Sequence, residues 1–255
     1  MSVFEQFKQL HHQETPLILG NAWNVASALV MQEKGIKAIA TSSSAIADTL
    51  GYADGENISF PELLHIIRRI VQCVKVPVSA DIEAGYSHSI EGLLANIDLL
   101  VEAGVAGINL EDSAPGDTRS LLPAADFVNK ISAIKAHLAE KKQQLFINAR
   151  TDTFLLDIPG KLEETFVRAR LYAQAGADSL FVPFIKEPAD IQAVVSAIKL
   201  PLNVLSMKGL PGFDELTTLG VKRVSMGGSI YWAQKRALGQ RLEQVLTDKN
   251  FESIF

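Results

Sequence analysis

Eight short apolar runs recur along the chain, separated by longer segments, most of them of helical period, and this alternation limits the possible folds more than any other feature. The runs occupy residues 17–19, 38–40, 76–80, 106–110, 145–147, 179–182, 202–205 and 221–226. Between them, segments such as 59–74, 90–103, 124–140, 162–175 and 188–198 repeat apolar residues every three or four positions. Strand–helix alternation predicts parallel strands joined by right-handed crossovers. Eight such units in 255 residues fit a closed (β/α)8 TIM barrel better than an open sheet.

The punctuation agrees. Gly35, Gly104, Gly176 and Gly220 each follow a helical stretch and can take the left-handed cap before the next apolar run. Pro77 and Pro201 stand at strand entrances, where a missing N–H is tolerated. No linker or composition shift divides the chain, so residues 1–255 are expected to form a single barrel domain. Ahead of the first strand, Phe4, Phe7 and Leu10 at helical spacing predict an extra N-terminal helix, in a segment without the h-region of a signal peptide. After the last strand a helical stretch runs to about residue 246, and an apolar tail spans 251–255. That tail is expected to dock either on a neighbouring subunit or back onto its own barrel.

Composition narrows the function classes. A net charge of −5 without a basic face argues against nucleic acid. No apolar run reaches the roughly 18 residues of a membrane span. The lone cysteine, Cys73, excludes an internal disulfide or a cysteine metal cluster and is expected in the core. His11, His12, His65 and His137 receive no role; His88 is expected in a solvated loop, with an approach to the substrate as the alternative. A cytoplasmic protein acting on a small molecule is the expectation.

Barrel chemistry belongs to the C-terminal ends of strands. Those positions hold Asn21, Trp23, Thr41, Ser42, Ser43, Ser44, Asp81, Glu83, Glu111, Asp112, Asn148, Arg150, Asp152, Asn203, Ser206 and Ser225. Acid concentrates on the third and fourth strands. Asp81 and Glu83 are two apart and point the same way if extended, and Glu111 comes from the adjacent strand. Three converging carboxylates repel unless a cation or protons separate them. All-oxygen ligands suit a hard ion, Mg2+ or Mn2+. Arg150 is the fixed cation of the mouth, suited to gripping a carboxylate or phosphonate, or to pairing with Asp152 or Glu111. Ser42, Ser43 and Ser44 offer hydroxyls and amides to an anion. Asp54-Gly55 reads as a turn, and Gly227-Gly228 as a weak phosphate signal.

The segments VSADIEAGYS, GINLEDS, NARTD and TSSSAIADTLGYADG, in order and over nearly the whole chain, resemble the isocitrate lyase/phosphoenolpyruvate mutase superfamily. The resemblance is to its short bacterial members. It implies a phosphoenolpyruvate/pyruvate-type barrel that binds Mg2+ and acts on 2-oxo acids through an enolpyruvate-like species. It implies Asp81 as principal metal ligand, direct or through water, with Glu83 and Glu111 holding metal-bound waters and Asp54 in the same network. It further implies Ser42, Ser43 and Ser44 on the substrate carboxylate and oxo group, Arg150 as the substrate-binding arginine, and Asn203 on the leaving portion. Arg150, Glu111 and Asp54 form the catalytic set on this reading. A homo-oligomer, a dimer or a tetramer with an exchanged C-terminal helix, is also implied.

Loop 113–122 departs from the family pattern. Lyases carry Lys-[Lys/Arg]-Cys-Gly-His after the fourth strand, and mutases and phosphonopyruvate hydrolases Lys-Thr-Asn; here the segment is SAPGDTRSLLPAADF, in which Arg119 is the candidate replacement for the lysine. The opening of the first barrel helix is Ala22-Trp23-Asn24 where the family has Ala-Trp-Asp. The expected function is Mg2+-dependent cleavage of a C–C or C–P bond in a small oxo acid, of lyase or decarboxylase type. The alternatives are a phosphonopyruvate hydrolase or phosphoenolpyruvate mutase, and a non-catalytic barrel that binds a small acid.

Overall fold

In a computed structural model, which describes residues 1–114 and 119–255, eight parallel strands close into a barrel. They are β1 (Leu17–Ala22), β2 (Ile39–Thr41), β3 (Val78–Asp81), β4 (Gly107–Glu111), β7 (Phe146–Arg150), β8 (Ser179–Val182), β9 (Leu202–Leu205) and β10 (Arg223–Ser225). The two intervening strands, β5 (Ser113–Ala114) and β6 (Ser120–Leu121), pair antiparallel outside the barrel. Closure pairs Leu17, Ile18 and Leu19 of β1 with Arg223, Val224 and Ser225 of β10. The helices are α1 (Val3–Leu10), α2 (Val25–Glu33), α3 (Ser43–Thr49), α4 (Phe60–Cys73), α5 (Ile90–Glu102), α6 (Ala124–Glu140), α7 (Lys161–Ala175), α8 (Pro188–Ala197), α9 (Phe213–Thr218) and α10 (Ser229–Asp248).

All eight expected strands are present, with shifted ends. β1 continues through Gly20 and Asn21, which interrupt the apolar run. It does so because the ladder to Ile39, Ala40 and Thr41 persists and the Asn21 amide donates to the Thr41 carbonyl at 3.0 Å. Asn24 caps α2 by accepting from the Ser27 amide at 2.8 Å, so the neutral residue serves the cap as a carboxylate would. The helices turn apolar faces inward, as Leu63, Leu64, Ile67 and Ile70 do on α4.

The expected N-terminal helix is α1, and it plugs the N-terminal end of the barrel. Phe7 meets Phe146 edge-on at 5.2 Å, and the fully buried His11 stacks on Phe146 at 4.3 Å. Gly107 permits this closeness: a Cβ there would lie 2.9 Å from the Phe146 carbonyl and 3.0 Å from the Phe7 ring.

One expectation fails, and one of two alternatives is removed. Cys73 is only half-buried at the last turn of α4, with Arg69 Nη2 3.9 Å from its sulfur, because the apolar face of α4 ends at Ile70. The tail does not fold back onto the barrel. Its 3-10 turn, Glu252–Ile254, lies against α10, and Phe255 is fully exposed. α10 itself buries no residue; near its start Tyr231 and Lys235 bond Asp48 of α3. Among the described residues no helix is long and apolar enough to cross a membrane.

Candidate active site

The C-terminal ends of the strands open into a cavity of about 630 Å³. Asp81, the last residue of β3, stands in it, fixed by a relay of polar side chains inside the barrel. Ser179 Oγ donates to Asn148 Oδ1 (2.6 Å), Asn148 Nδ2 to Asn109 Oδ1 (2.9 Å), and Asn109 Nδ2 to Asp81 Oδ1 (3.0 Å). The relay crosses β8, β7, β4 and β3 in barrel order, as inward-facing residues of neighbouring strands share a level. Asp81 Oδ2 accepts from the amide and hydroxyl of Ser43, at 3.2 and 2.8 Å.

Glu83 sits two residues on, in a left-handed backbone conformation with φ 46°. Its carboxylate accepts from the Tyr86 hydroxyl at 2.7 Å and the Glu56 amide at 3.0 Å. Burial pushes its pKa up to about 8; the Tyr86 bond opposes this, and Asp81, Asp54 and Glu111 add to it. Glu111 ends β4, completely buried, in an alternating ring of two acids and two arginines. Arg119 Nη1 lies 3.0 Å from Glu111 and 3.1 Å from Asp152, while Arg150 lies 2.6 Å from Asp152 and 2.8 Å from Glu111. Burial pushes the Glu111 carboxyl up to about 7, against the pull of Arg150 and Arg119 and with the help of Asp152 and Asp81. Ser113 Oγ joins Asp152 at 2.6 Å and Glu111 at 3.1 Å. Asp54 stands half-exposed at the rim, 3.9 Å from Arg119 Nη2; partial burial and Asp81 raise its pKa.

The cavity therefore gathers Ser42, Ser43, Ser44, Asp54, Asp81, Glu83, Glu111 and Arg150, and Asn203 is absent from its lining. Asn203 is the second residue of β9, short of the strand end, and its amide is bound to Ser225 Oγ inside the barrel at 3.1 Å. Of the serines, Ser43 is committed to Asp81, whereas the Ser42 and Ser44 hydroxyls face each other at 3.2 Å. Gly227 donates its amide to Asn21 at 3.0 Å, which removes that donor from a phosphate cradle. His88 is exposed, in the loop after β3. Within loop 113–122, residues 115–118 lie outside the described residues.

Among the described residues, no three His, Cys, Asp or Glu side chains come together closely enough to chelate one ion directly. Glu83 is held by Tyr86 and Glu56, and Glu111 by guanidinium groups, so the trio is no direct cage. The donor set is all oxygen, with Asp81 pointing into the cavity, where its charge raises the pKa of Asp54, Glu83 and Glu111. It fits a hard divalent ion that takes one or two carboxylates directly and keeps most of its waters.

Sequence reasoning passed over Asn109, Tyr86, Glu56 and Arg223. Asn109 had a signal, since it precedes Glu111 by two and so shares its face of β4. Glu56 and Tyr86 had none, because a loop-to-loop contact leaves no periodicity.

The model of the phosphoenolpyruvate phosphomutase family matches residues 7–246. The chain belongs to that family. It is 36% identical over 89% of its length to the uncharacterized protein Rv1998c of Mycobacterium tuberculosis, covering 83% of that protein. It is 28% identical to the 2-methylisocitrate lyase of Escherichia coli K12, over 91% of this chain and 80% of the lyase. A solved structure from Burkholderia cenocepacia J2315 superposes with a TM-score of 0.90 at 35% identity, over 95% of this chain and 98% of that one. The family comprises lyases and mutases of small oxo acids, and this chain is one of its enzymes.

Proposed function

We propose that this family member is a Mg2+-dependent enzyme, with Mn2+ as the alternative ion, that cleaves the C–C bond one carbon removed from the oxo group of a small 2-oxo acid, between C3 and C4, as a lyase or decarboxylase. The observation that carries the reading is the placement of Asp81. A four-strand relay holds it in the cavity, across from a ring that presents two arginines to the same space. Asp81 would hold the ion, with Glu83 and Glu111 reaching it through water. A divalent ion bound there supplies Lewis-acid polarisation of the oxo acid.

The chain's own residues do the rest. Ser42 and Ser44 donate to the substrate carboxylate, while Ser43 holds Asp81 in place. Arg150 and Arg119 keep a fixed positive field beside the carbon that receives the electron pair when the bond breaks, stabilising the enolate. Asp54, at the rim beside Arg119, completes the set. The departing fragment takes no pair of electrons, which suits carbon dioxide or a carbonyl compound. We further propose that residues 1–255 act as a single domain in the cytoplasm, as a homo-oligomer that exchanges α10.

Calorimetry with Mg2+ and oxalate, an enolate mimic, tests the reading. Oxalate is expected to bind only with the metal, and Asp81→Ala to abolish binding; equal binding by that variant overturns the assignment. A screen that follows release of CO2, pyruvate and phosphate then separates the reactions. The family description favours one second reading, a phosphonate mutase or hydrolase. Consumption of phosphonopyruvate, followed by phosphorus NMR, would establish it over C–C cleavage.

A further inference from the structure

Below Asp81 the cavity reaches two buried polar side chains that the chemistry above does not use. Arg223 of β10 is 2% exposed, lines the cavity, and leaves Nη1 without a hydrogen-bond partner among the described residues. Its Nε donates to Ser225 Oγ at 3.1 Å, and Ser225 in turn bonds Asn203. The guanidinium carbon stands 6.0 Å from the centre of the Phe7 ring, so its underside is apolar. Ser79 of β3 is 1% exposed, lines the same cavity, and its Oγ likewise bonds none of the described residues.

No carboxylate among the described residues forms an ion pair with Arg223, although Asp81 acts on it at longer range. Burial holds its pKa down to about 9. A guanidinium without a counter-ion in a barrel interior carries a large desolvation cost. One held by Ser225, with an N–H beside a cavity, has the arrangement of an anion site. Ser79 stands two strand residues, roughly 7 Å, below Asp81, the reach of a four- or five-carbon diacid.

We propose that Arg223 and Ser79 form a second anion subsite at the floor of the cavity, which takes the distal carboxylate of a dicarboxylic oxo acid whose oxo end lies at Asp81. This rests on the proposed function for the oxo end only. It makes the substrate class dicarboxylic. It also couples the two ends, since a cation on Asp81 offsets a negative charge that repels an anion at the floor.

The test compares 2-oxoglutarate with 2-oxopentanoate, which has the same chain without the distal carboxylate. Affinities are read by calorimetry with Mg2+, and oxalate, too short for the floor, is the reference ligand in every variant. In the parent protein 2-oxoglutarate is expected to bind at least tenfold more tightly than 2-oxopentanoate. Arg223→Met should bring that ratio to within twofold, and Ser79→Ala should reduce it about threefold. A merely structural role for Arg223 would move both ligands together and leave the ratio alone. A parent ratio near one, or a ratio that survives Arg223→Met, overturns the subsite. Should Arg223→Met fail to fold, an unchanged ratio in Ser79→Ala overturns it instead. If oxalate fails to bind while the 2-oxoglutarate preference and its loss persist, the subsite stands and the metal reading falls.

Discussion

Glu111 has a guanidinium on either side in a fully buried position, so its protonation sets the charge of the whole ring. Glu111→Gln would leave two arginines against one carboxylate. The expected result is at least a hundredfold drop in kcat/KM on the substrate that the screen identifies, with little change in urea unfolding below about pH 7, where burial already keeps the Glu111 carboxyl protonated. Titration offers a second check. Glu83 and Glu111 rise from an ordinary 4.5 to about 8 and about 7 on folding, chiefly through burial. The folded protein thus holds protons that the unfolded chain has released. The stability these groups contribute is complete below the unfolded value and is lost as pH rises through the folded values. In EDTA the Tm should fall between pH 5 and pH 8, and saturating Mg2+ should shrink that fall by favouring the ionised carboxylates. A Tm that rises across this window would contradict the placement of both groups.

Among the elements, the β5–β6 hairpin matters most to the site, because Arg119 immediately precedes β6 and reaches back to Glu111, Asp152 and Asp54. A lysine has no planar fork with which to bridge two carboxylates. Arg119→Lys is therefore expected to lower kcat/KM about tenfold or more while the fold, read by circular dichroism, is unchanged. The α1 plug bears on stability instead. Phe7 is fully buried against Phe146, and Phe7→Ala should cost about 3–5 kcal/mol in urea unfolding. Helical spacing in the sequence pointed to α1 but not to the surface it covers, since periodicity reports an apolar face and not its partner. The β5–β6 hairpin left no such trace: two-residue strands are too short to show alternation.

For the whole molecule, α10 poses the open question of partners. Leu238, Leu242 and Leu246 recur one turn apart on a helix that buries nothing, and all three are exposed. Light scattering is expected to give a dimer or tetramer of the 27.7 kDa chain, and Leu238→Glu with Leu242→Glu to shift it toward monomer. A parent monomer would remove the exchanged-helix proposal. The barrel itself was legible in advance, because eight apolar runs and their glycine caps follow from local rules of period and turn chemistry, which act over a few residues. The same rules marked Asp81, Glu83, Glu111 and Arg150 as strand-end residues. They could not say that Glu83 turns to Tyr86, that Ser43 is taken by Asp81, or that Asn203 stays inside the barrel. Nor could they show Arg119 joining Glu111 to Asp152, or Arg223 without a carboxylate partner among the described residues. Those outcomes depend on which side chains meet across strands far apart in the chain, and only closure of the barrel decides that.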